Sequence, residues 1–139
     1  MTNAATRRGY AVSTGEGLEQ DPALKASAAS TGGAFTLIES RTDGGAPPHV
    51  HEREDEAMYV LEGRIVVHVG EDEFTVDAGG FVFMPRGVLH DWDVAGPTAR
   101  VLILAAPGGL DRFLNEFHAA DDWDARDGVA ARHGLAFPR

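Results

Sequence analysis

Short apolar runs alternate with turns through the middle of the chain. From about Thr31 to Pro107, segments such as EAMYVLEG, RIVVHVG and FVFMPRG lie between turns that contain glycine or proline. The turns recur roughly every 8–12 residues, and FTVDAG alternates so that Phe74 and Val76 share one face. This pattern predicts short strands in a small β-sandwich or barrel.

The spacing of the apolar residues changes after Pro107. Four of them follow the i, i+3, i+4, i+7 spacing of one helix face: Leu110, Phe113, Leu114 and Phe117. The sequence therefore predicts an α-helix after the strands. A second short helix is compatible with the tail, where Leu135 and Phe137 are candidates to anchor the tail on the barrel.

The chain length and the pattern together predict one domain. Its 139 residues and 14.8 kDa suffice for a single hydrophobic core. Residues 1–8 are small, polar and without periodicity, so they predict a disordered N-terminus. Residues 9–139 predict one all-β domain, with a barrel at 31–107 and a short C-terminal helix and tail at 108–139.

Charge and composition narrow the function classes. The net charge is −10, which disfavours a nucleic-acid partner and an anionic membrane surface. The apolar run at 101–106 is too short to span a bilayer, and no apolar segment follows the two N-terminal arginines, so a cytoplasmic protein is expected. Because there is no cysteine, any metal must be held by nitrogen and oxygen ligands.

Two histidines one residue apart form the first half of a candidate metal site. If the chain is extended at His49 and His51, their side chains point to the same face about 6.8 Å apart, at roughly 3.4 Å per residue. Pro47 and Pro48 precede them and favour extended geometry. Two imidazoles at that spacing can converge on one ion.

The other two candidate ligands are Glu56 and His90. Glu56 begins an apolar segment, where its carboxylate can point inward, and His90 follows a Pro-x-Gly turn at the start of a strand. In an antiparallel barrel, that strand can lie beside the one that carries His49 and His51. Three neutral histidines and one carboxylate leave one or two coordination positions for water or substrate, as in a catalytic site.

The first histidine pair lies in a segment that resembles a sequence motif of the cupin superfamily. That motif reads G-x5-H-x-H-x3,4-E-x6-G, and this chain has His49-x-His51-x4-Glu56-x6-Gly63. Asp43 stands where the first glycine is expected. The departure does not involve a ligand.

The segment before His90 resembles the second cupin motif, G-x5-P-x-G-x2-H-x3-N. The chain has Gly79-x5-Pro85-x-Gly87-x2-His90, with Val94 where asparagine is expected. The resemblance covers residues 43–94, and the flanking segments are similar to those of small quercetin-dioxygenase-like cupins.

The resemblance implies a double-stranded β-helix, or jelly-roll barrel, of six to eight strands with a metal inside. It implies the same four ligands that the spacing suggests: His49, His51, Glu56 and His90. The ligand types suit one divalent ion, with Zn, Fe, Ni or Mn favoured and Cu²⁺ also compatible. In quercetinase-like cupins the glutamate also takes a proton from the substrate, so Glu56 is the candidate catalytic base.

The acidic residues between His51 and Glu56 and the three other histidines are not expected to be metal ligands. Glu52, Glu54 and Asp55 are interpreted as a solvated, charged face. His68 is expected to be a partly exposed strand residue, because no second type of ligand neighbours it. The other histidines outside the motifs, His118 and His133, are expected to be bystanders.

Four aromatic residues are candidates to line a pocket over the metal. Trp92 lies at i+2 from His90 and so shares its face in a regular strand, although a core position is equally compatible. Phe83 is assigned to the pocket as one of two phenylalanines on one strand face. Phe113 and Phe117 on the helix can cover the barrel mouth or pack on its outside.

Three functions remain open at this point. The first is a metal-dependent dioxygenase that acts on a small aromatic or polyphenol-like substrate. The second is a non-redox, Zn-dependent cyclase, isomerase or lyase of polyketide-type metabolism. The third is a ligand-binding or storage module that is not an enzyme.

A homodimer is also expected, since the resemblance implies pairing of strands between two barrels. Residues 9–30 and the tail are the segments available for such an exchange. A small molecule is the other expected partner.

Overall fold

A computed structural model describes residues 8–139, so the first seven residues of the predicted disordered N-terminus lie outside it. Ten strands are present within the described part. They are β1 (Leu24–Ala26), β2 (Thr36–Thr42), β3 (Ala46–His51), β4 (Asp55–Glu62), β5 (Arg64–Val69), β6 (Asp72–Asp77), β7 (Phe81–Met84), β8 (His90–Val94), β9 (Ala99–Ala106) and β10 (Leu135–Ala136). Two helices, α1 (Leu110–Ala119) and α2 (Trp123–Arg132), lie between β9 and β10.

The strands form two antiparallel sheets of five. One has the order β1-β2-β9-β4-β7 and the other the order β10-β3-β8-β5-β6. Strands that follow each other in sequence mostly lie in different sheets, which is the topology of a double-stranded β-helix. The predicted all-β fold with a C-terminal helical part is confirmed. Its sheets extend beyond 31–107, because β1 precedes that range and β10 follows α2.

Alternating apolar side chains fill the space between the two sheets. Val60 and Val101 from one sheet and Ile65 and Val67 from the other are fully buried. Each strand therefore turns one face to this core and the other outward, as the alternation in the sequence predicts.

The outer face of β4, β7 and β9 is unusually apolar. Phe81 is 63% exposed and Phe83 50% exposed, and Tyr59 and Leu104 on the neighbouring strands are also exposed. Tyr59 lies opposite Phe81, and Ala57 lies opposite both Phe83 and Leu104, so these side chains form one continuous patch. We call these four exposed residues the outer apolar patch.

The glycine that ends the first motif is required by two features of its turn. Gly63 joins β4 to β5 with a φ of 84°, a conformation that favours glycine. A Cβ atom there would also lie 2.6 Å from the carbonyl oxygen of Thr98. The glycine therefore permits the turn that leads from β4 in one sheet to β5 in the other.

A buried polar contact attaches α1 to the barrel. The hydroxyl of Thr36 in β2 donates to the Asp111 carboxylate (2.8 Å), and the Gly109 amide donates to the same hydroxyl (3.2 Å). Both Thr36 and Asp111 are buried, so the start of α1 is held against the first residue of β2. The predicted helix after Pro107 is confirmed.

The tail closes back on the barrel. After α2, Leu135 and Ala136 form the short strand β10, in which they lie opposite His51 and Val50 of β3. Leu135 is buried in a second apolar cluster with α1 and α2, and Phe137 packs against it. The predicted anchoring of the tail through Leu135 and Phe137 is confirmed. No helix among residues 8–139 has the length and apolarity needed to cross a bilayer.

Candidate metal centre

The four predicted ligands converge at one end of the space between the sheets. His49 and His51 come from β3 and His90 from β8, while Glu56 comes from β4 of the facing sheet. One ligand atom from each residue lies within 4.8 Å of the others, and all four side chains are buried. The site therefore joins both sheets, and it exists only when they are packed together.

The register between β3 and β8 explains how distant residues meet. His49 lies directly opposite His90, and the pairing shifts between Ala46 and His49. Pro47 and Pro48 occupy this irregular stretch, where a residue without an amide hydrogen does not interrupt the pairing. The proline pair and the register together direct His49 and His51 inward.

An outer hydrogen bond orients each imidazole. Nδ1 of His49 donates to the carbonyl oxygen of Pro47 (2.7 Å), and Nδ1 of His51 donates to the Glu54 carboxylate (2.6 Å). The corresponding contact of His90, with the carbonyl oxygen of Val88, is longer at 3.4 Å. Because Nδ1 points outward in each ring, Nε2 is the atom available for a metal ion, which is the arrangement expected around protein metal sites.

The Nε2 atoms of the histidines and the carboxylate oxygens of Glu56 face one another and need a positive charge between them. An oxygen of Glu56 lies 3.1 Å from Nε2 of His90, and its other oxygen lies 3.8 Å from Nε2 of His51. Neutral imidazoles protonated on Nδ1 would turn lone pairs toward this carboxylate, so a proton or a metal ion has to bridge the group. Four buried nitrogen and oxygen ligands fit a divalent ion such as Zn²⁺, Fe²⁺, Ni²⁺ or Mn²⁺.

The electrostatic surroundings keep His49 and Glu56 in the protonation states that a metal ligand requires. Burial, together with the neighbouring His90, lowers the pKa of His49 to about 4, so this imidazole is neutral at pH 7. Burial tends to raise the pKa of Glu56, but the hydrogen bond with His90 and the nearby imidazole of His51 outweigh burial and hold that pKa below its usual value. Glu56 is therefore an ionised carboxylate at neutral pH.

Glu54 is the residue at this site that sequence reasoning missed. It was interpreted as part of a solvated face, but this interpretation is wrong because Glu54 is only 7% exposed and accepts the hydrogen bond from His51. Its neighbour Glu52 is exposed, and Asp55 pairs with Arg86. The sequence motif specifies only the residues that would contact the metal, so it gives no signal for Glu54, whose carboxylate accepts a hydrogen bond from one of those residues.

A cavity of about 310 Å³ opens beside the metal-ligand group. Glu56 and two of the histidines form its polar end, and most of the remaining wall is apolar, including Ile103, Leu110, Leu114 and the rings of Trp92, Phe113, Phe117 and Phe137. Three of the residues predicted to line a pocket, Trp92, Phe113 and Phe117, border this cavity. The helix α1 covers the mouth of the barrel.

The assignment of Phe83 to this pocket is wrong. In β7, Val82 and Met84 are buried, so Phe83 points to the outer face with Phe81. Phe137 lines the cavity instead of Phe83, and its ring lies against that of His49 with centroids 5.3 Å apart. The sequence indicated Phe137 as an anchor but gave no sign of its contact with the predicted ligand His49.

The other histidines stay outside the metal-ligand group. His68 is partly exposed, as predicted, and pairs with Asp91 and Glu73, whose hydrogen bonds raise its pKa. His133 pairs with Glu116 on α1. His118 is exposed at the edge of the cavity.

Fold and site together define a double-stranded β-helix with a buried three-histidine, one-glutamate group that can hold a metal ion. The cupin domain family model matches residues 37–106, which is half of the chain and includes all four residues of the group. The chain belongs to the cupin family.

Individual relatives and solved structures are also similar to this chain. An uncharacterised protein of Streptomyces coelicolor is 32% identical over 75 residues, which cover 54% of this chain and 68% of the relative. The structure of KdgF from a Halomonas species is similar with a TM-score of 0.57 and 23% identity, covering 64% of this chain and 79% of that one. The structure of Streptomyces Pac13, a nucleoside dehydratase, is similar with a TM-score of 0.51 and 14% identity, covering 58% of this chain and 65% of Pac13. The two structures show a shared fold.

Substitution of Glu54 by alanine is expected to weaken metal binding about 10- to 100-fold, the usual effect of losing an outer hydrogen-bond partner of a histidine ligand. The lost carboxylate leaves Nδ1 of His51 without its acceptor and makes Nε2 a weaker donor to the metal. Titration against a competing chelator measures the affinity. Glu52→Ala, on the exposed neighbour, is the control, and an affinity in Glu54→Ala equal to that of the control would contradict the role.

Proposed function

We propose that this cupin is an enzyme that binds one divalent metal ion through His49, His51, Glu56 and His90. Its substrate is a small aromatic molecule that occupies the neighbouring cavity, and dioxygenation is the leading reaction. The observation that carries the proposal is the position of the group: His49, His51 and Glu56 line the polar end of a mainly apolar, aromatic cavity. Binding sites for small molecules commonly combine an apolar wall with a few convergent polar groups.

The protein's own side chains have separate tasks in this reaction. The rings of Trp92, Phe113 and Phe117 exclude water and contact the apolar part of the substrate. Glu56, ionised and buried, is placed to accept a proton from a phenol or enol hydroxyl group at the polar end. When bound, a redox-capable ion supplies the electron transfer that reaction with dioxygen requires, whereas Zn²⁺ supplies Lewis acidity alone.

Metal analysis and oxygen uptake test the proposal. The protein is purified without chelator or added metal, its metal content is measured, and samples loaded with Fe, Ni, Mn or Cu are mixed with a panel of polyphenols. We expect one metal per chain and substrate-dependent oxygen consumption with at least one redox-capable ion. Binding of Zn alone, with no oxygen uptake on any polyphenol, would contradict dioxygenation and leave the non-redox cyclase or isomerase as the better proposal.

A non-enzymatic role has a distinct signature in the same samples. A metal held by four protein ligands without an exchangeable water leaves no position for a substrate. Water-proton relaxation of the Mn-loaded protein detects such a water directly. Its absence would favour a ligand-binding module with a structural metal over both enzymes.

We also propose that the protein forms a homodimer through the outer apolar patch. The tail pairs with β3 of its own barrel, whereas the outer apolar patch is exposed and continuous over three strands. Burial of such a surface by a second copy removes apolar area from water. Light scattering at micromolar concentration is expected to give twice the 14.8 kDa of the chain, and Phe81→Glu is expected to give a monomer. A monomeric wild-type protein would contradict this.

A further inference from the structure

The ring of Phe137 lies against the predicted ligand His49 and is part of the cavity wall. The two rings are stacked, with planes inclined by 26° and centroids 5.3 Å apart. Phe137 also stacks on Phe117 of α1, at 5.2 Å and 24°. Phe137 therefore connects the metal-ligand group to the helical cover of the cavity.

Both sides of Phe137 are fastened to the rest of the protein. On one side, Leu135 and Ala136 pair with β3. On the other side, the Arg139 guanidinium donates to both oxygens of Asp127 (3.0 and 2.6 Å) and lies 4.6 Å from the centre of the Trp123 ring. The ring is held in place before any ligand enters, and a preorganised wall selects for shape better than a mobile one.

We propose that Phe137 is a specificity-determining residue that makes the cavity prefer flat aromatic molecules over bulkier ones of similar polarity. The inference rests on the proposed metal-dependent function, because it concerns molecules that reach an open position on the metal. A flat ring makes close contact with aromatic walls, and the anchors of residues 135–139 oppose the displacement that a thicker molecule requires. Arg139, Asp127 and Trp123 act through Phe137 and are positioning residues.

Cobalt-loaded protein allows the preference to be measured without a known substrate. The visible absorption of Co²⁺ changes when imidazole takes an open coordination position, so affinities are obtained by titration. The probes are imidazole, flat 4-phenylimidazole and bulky 4-cyclohexylimidazole. The readout is the ratio of the affinity for the phenyl compound to that for the cyclohexyl compound.

Four variants separate the role of the ring from loss of structure. Phe137→Ala removes the wall, Phe137→Leu keeps apolar bulk without the flat face, and Phe137→Tyr keeps the ring. Phe74→Leu, three strands away from β3 in the same sheet, is the control. Circular dichroism and stoichiometric Co²⁺ uptake establish that each variant is folded.

The wild-type protein, Phe137→Tyr and Phe74→Leu are expected to prefer the phenyl compound. In Phe137→Ala and Phe137→Leu the preference is expected to fall about three- to tenfold, the size of one aromatic contact expressed as an affinity ratio. Imidazole itself is expected to bind all five proteins within about twofold of one another, because it is too small to depend on the wall.

An unchanged ratio in both Phe137→Ala and Phe137→Leu would overturn the inference and leave the proposed function intact. A different outcome separates the two proposals. If wild-type protein binds Co²⁺ but its spectrum responds to none of the probes, the metal has no open position, and both the proposed enzyme and this inference fall.

Discussion

Replacement of His51 by alanine is expected to reduce metal affinity by more than about 100-fold, beyond the loss expected for Glu54→Ala. His51 is one of the three predicted nitrogen ligands, and its Nδ1 donates to the buried Glu54 carboxylate at 2.6 Å. The variant therefore loses a ligand and leaves a buried charge without its partner. Chelator competition measures the affinity, and thermal unfolding with and without metal measures the linked stability.

Binding of metal to the folded protein alone predicts that added metal raises its stability. A metal that binds only the folded protein stabilises it by about 2.7 kcal/mol at 100 times the dissociation constant. Wild-type protein is therefore expected to unfold at a higher temperature when metal is added, and His51→Ala to show little change. His68→Ala, on an exposed histidine outside the group, is the control. A wild-type response to metal that persists undiminished in His51→Ala would exclude His51 as a ligand.

Substitution of Glu56 by glutamine is expected to reduce turnover about 10²- to 10⁴-fold while three histidines still hold much of the metal. The amide keeps the shape of the side chain but cannot accept a proton at neutral pH. Oxygen uptake is compared at equal metal content, with a substrate on which wild-type protein is active. Glu52→Gln is the matched control on an exposed glutamate. Full activity in Glu56→Gln would rule out the base.

The direction of the Glu56 pKa also predicts a pH dependence. This pKa lies below its usual value of 4.5 in the folded protein, so the carboxylate is available as a base at neutral pH and is lost only in acid, as pH falls through the lowered pKa. Activity limited by Glu56 is therefore expected to stay constant from pH 7 down toward the carboxylate range. The profile can be measured in the oxygen assay.

Local patterns account for the parts of the fold that the sequence predicted. Period-two alternation predicted the strands, because an antiparallel strand buries one face and exposes the other. The i, i+3, i+4, i+7 spacing predicted α1, which begins at Leu110 in the structure. Neither pattern indicates which strands become neighbours, so the exposed positions of Phe81 and Phe83 in β7 followed only from how the sheets pack.

The sequence predicted only part of the site, because local patterns show spacing along the chain but not contacts made by folding. The spacing of His49 and His51 is local, and the two motifs brought His90 and Glu56 into the same set. Glu54 was missed because its burial depends on the turn between β3 and β4, where it folds back onto His51. In a run of charged residues, the sequence has no feature that distinguishes Glu54 from the exposed Glu52.

The sequence by itself determined the chemistry that this protein can offer: nitrogen and oxygen ligands, no thiolate, and strands that place two imidazoles on one face. Those properties depend on residue type and on spacing of a few positions. Only the tertiary structure decided what surrounds the ligands, because contacts such as Glu54 with His51, Phe137 with His49 and Glu56 with His90 join different turns, strands or sheets. Residues 49–56 supply three of the four predicted ligands and His90 supplies the fourth, and the packing of both sheets and the tail makes the cavity beside them.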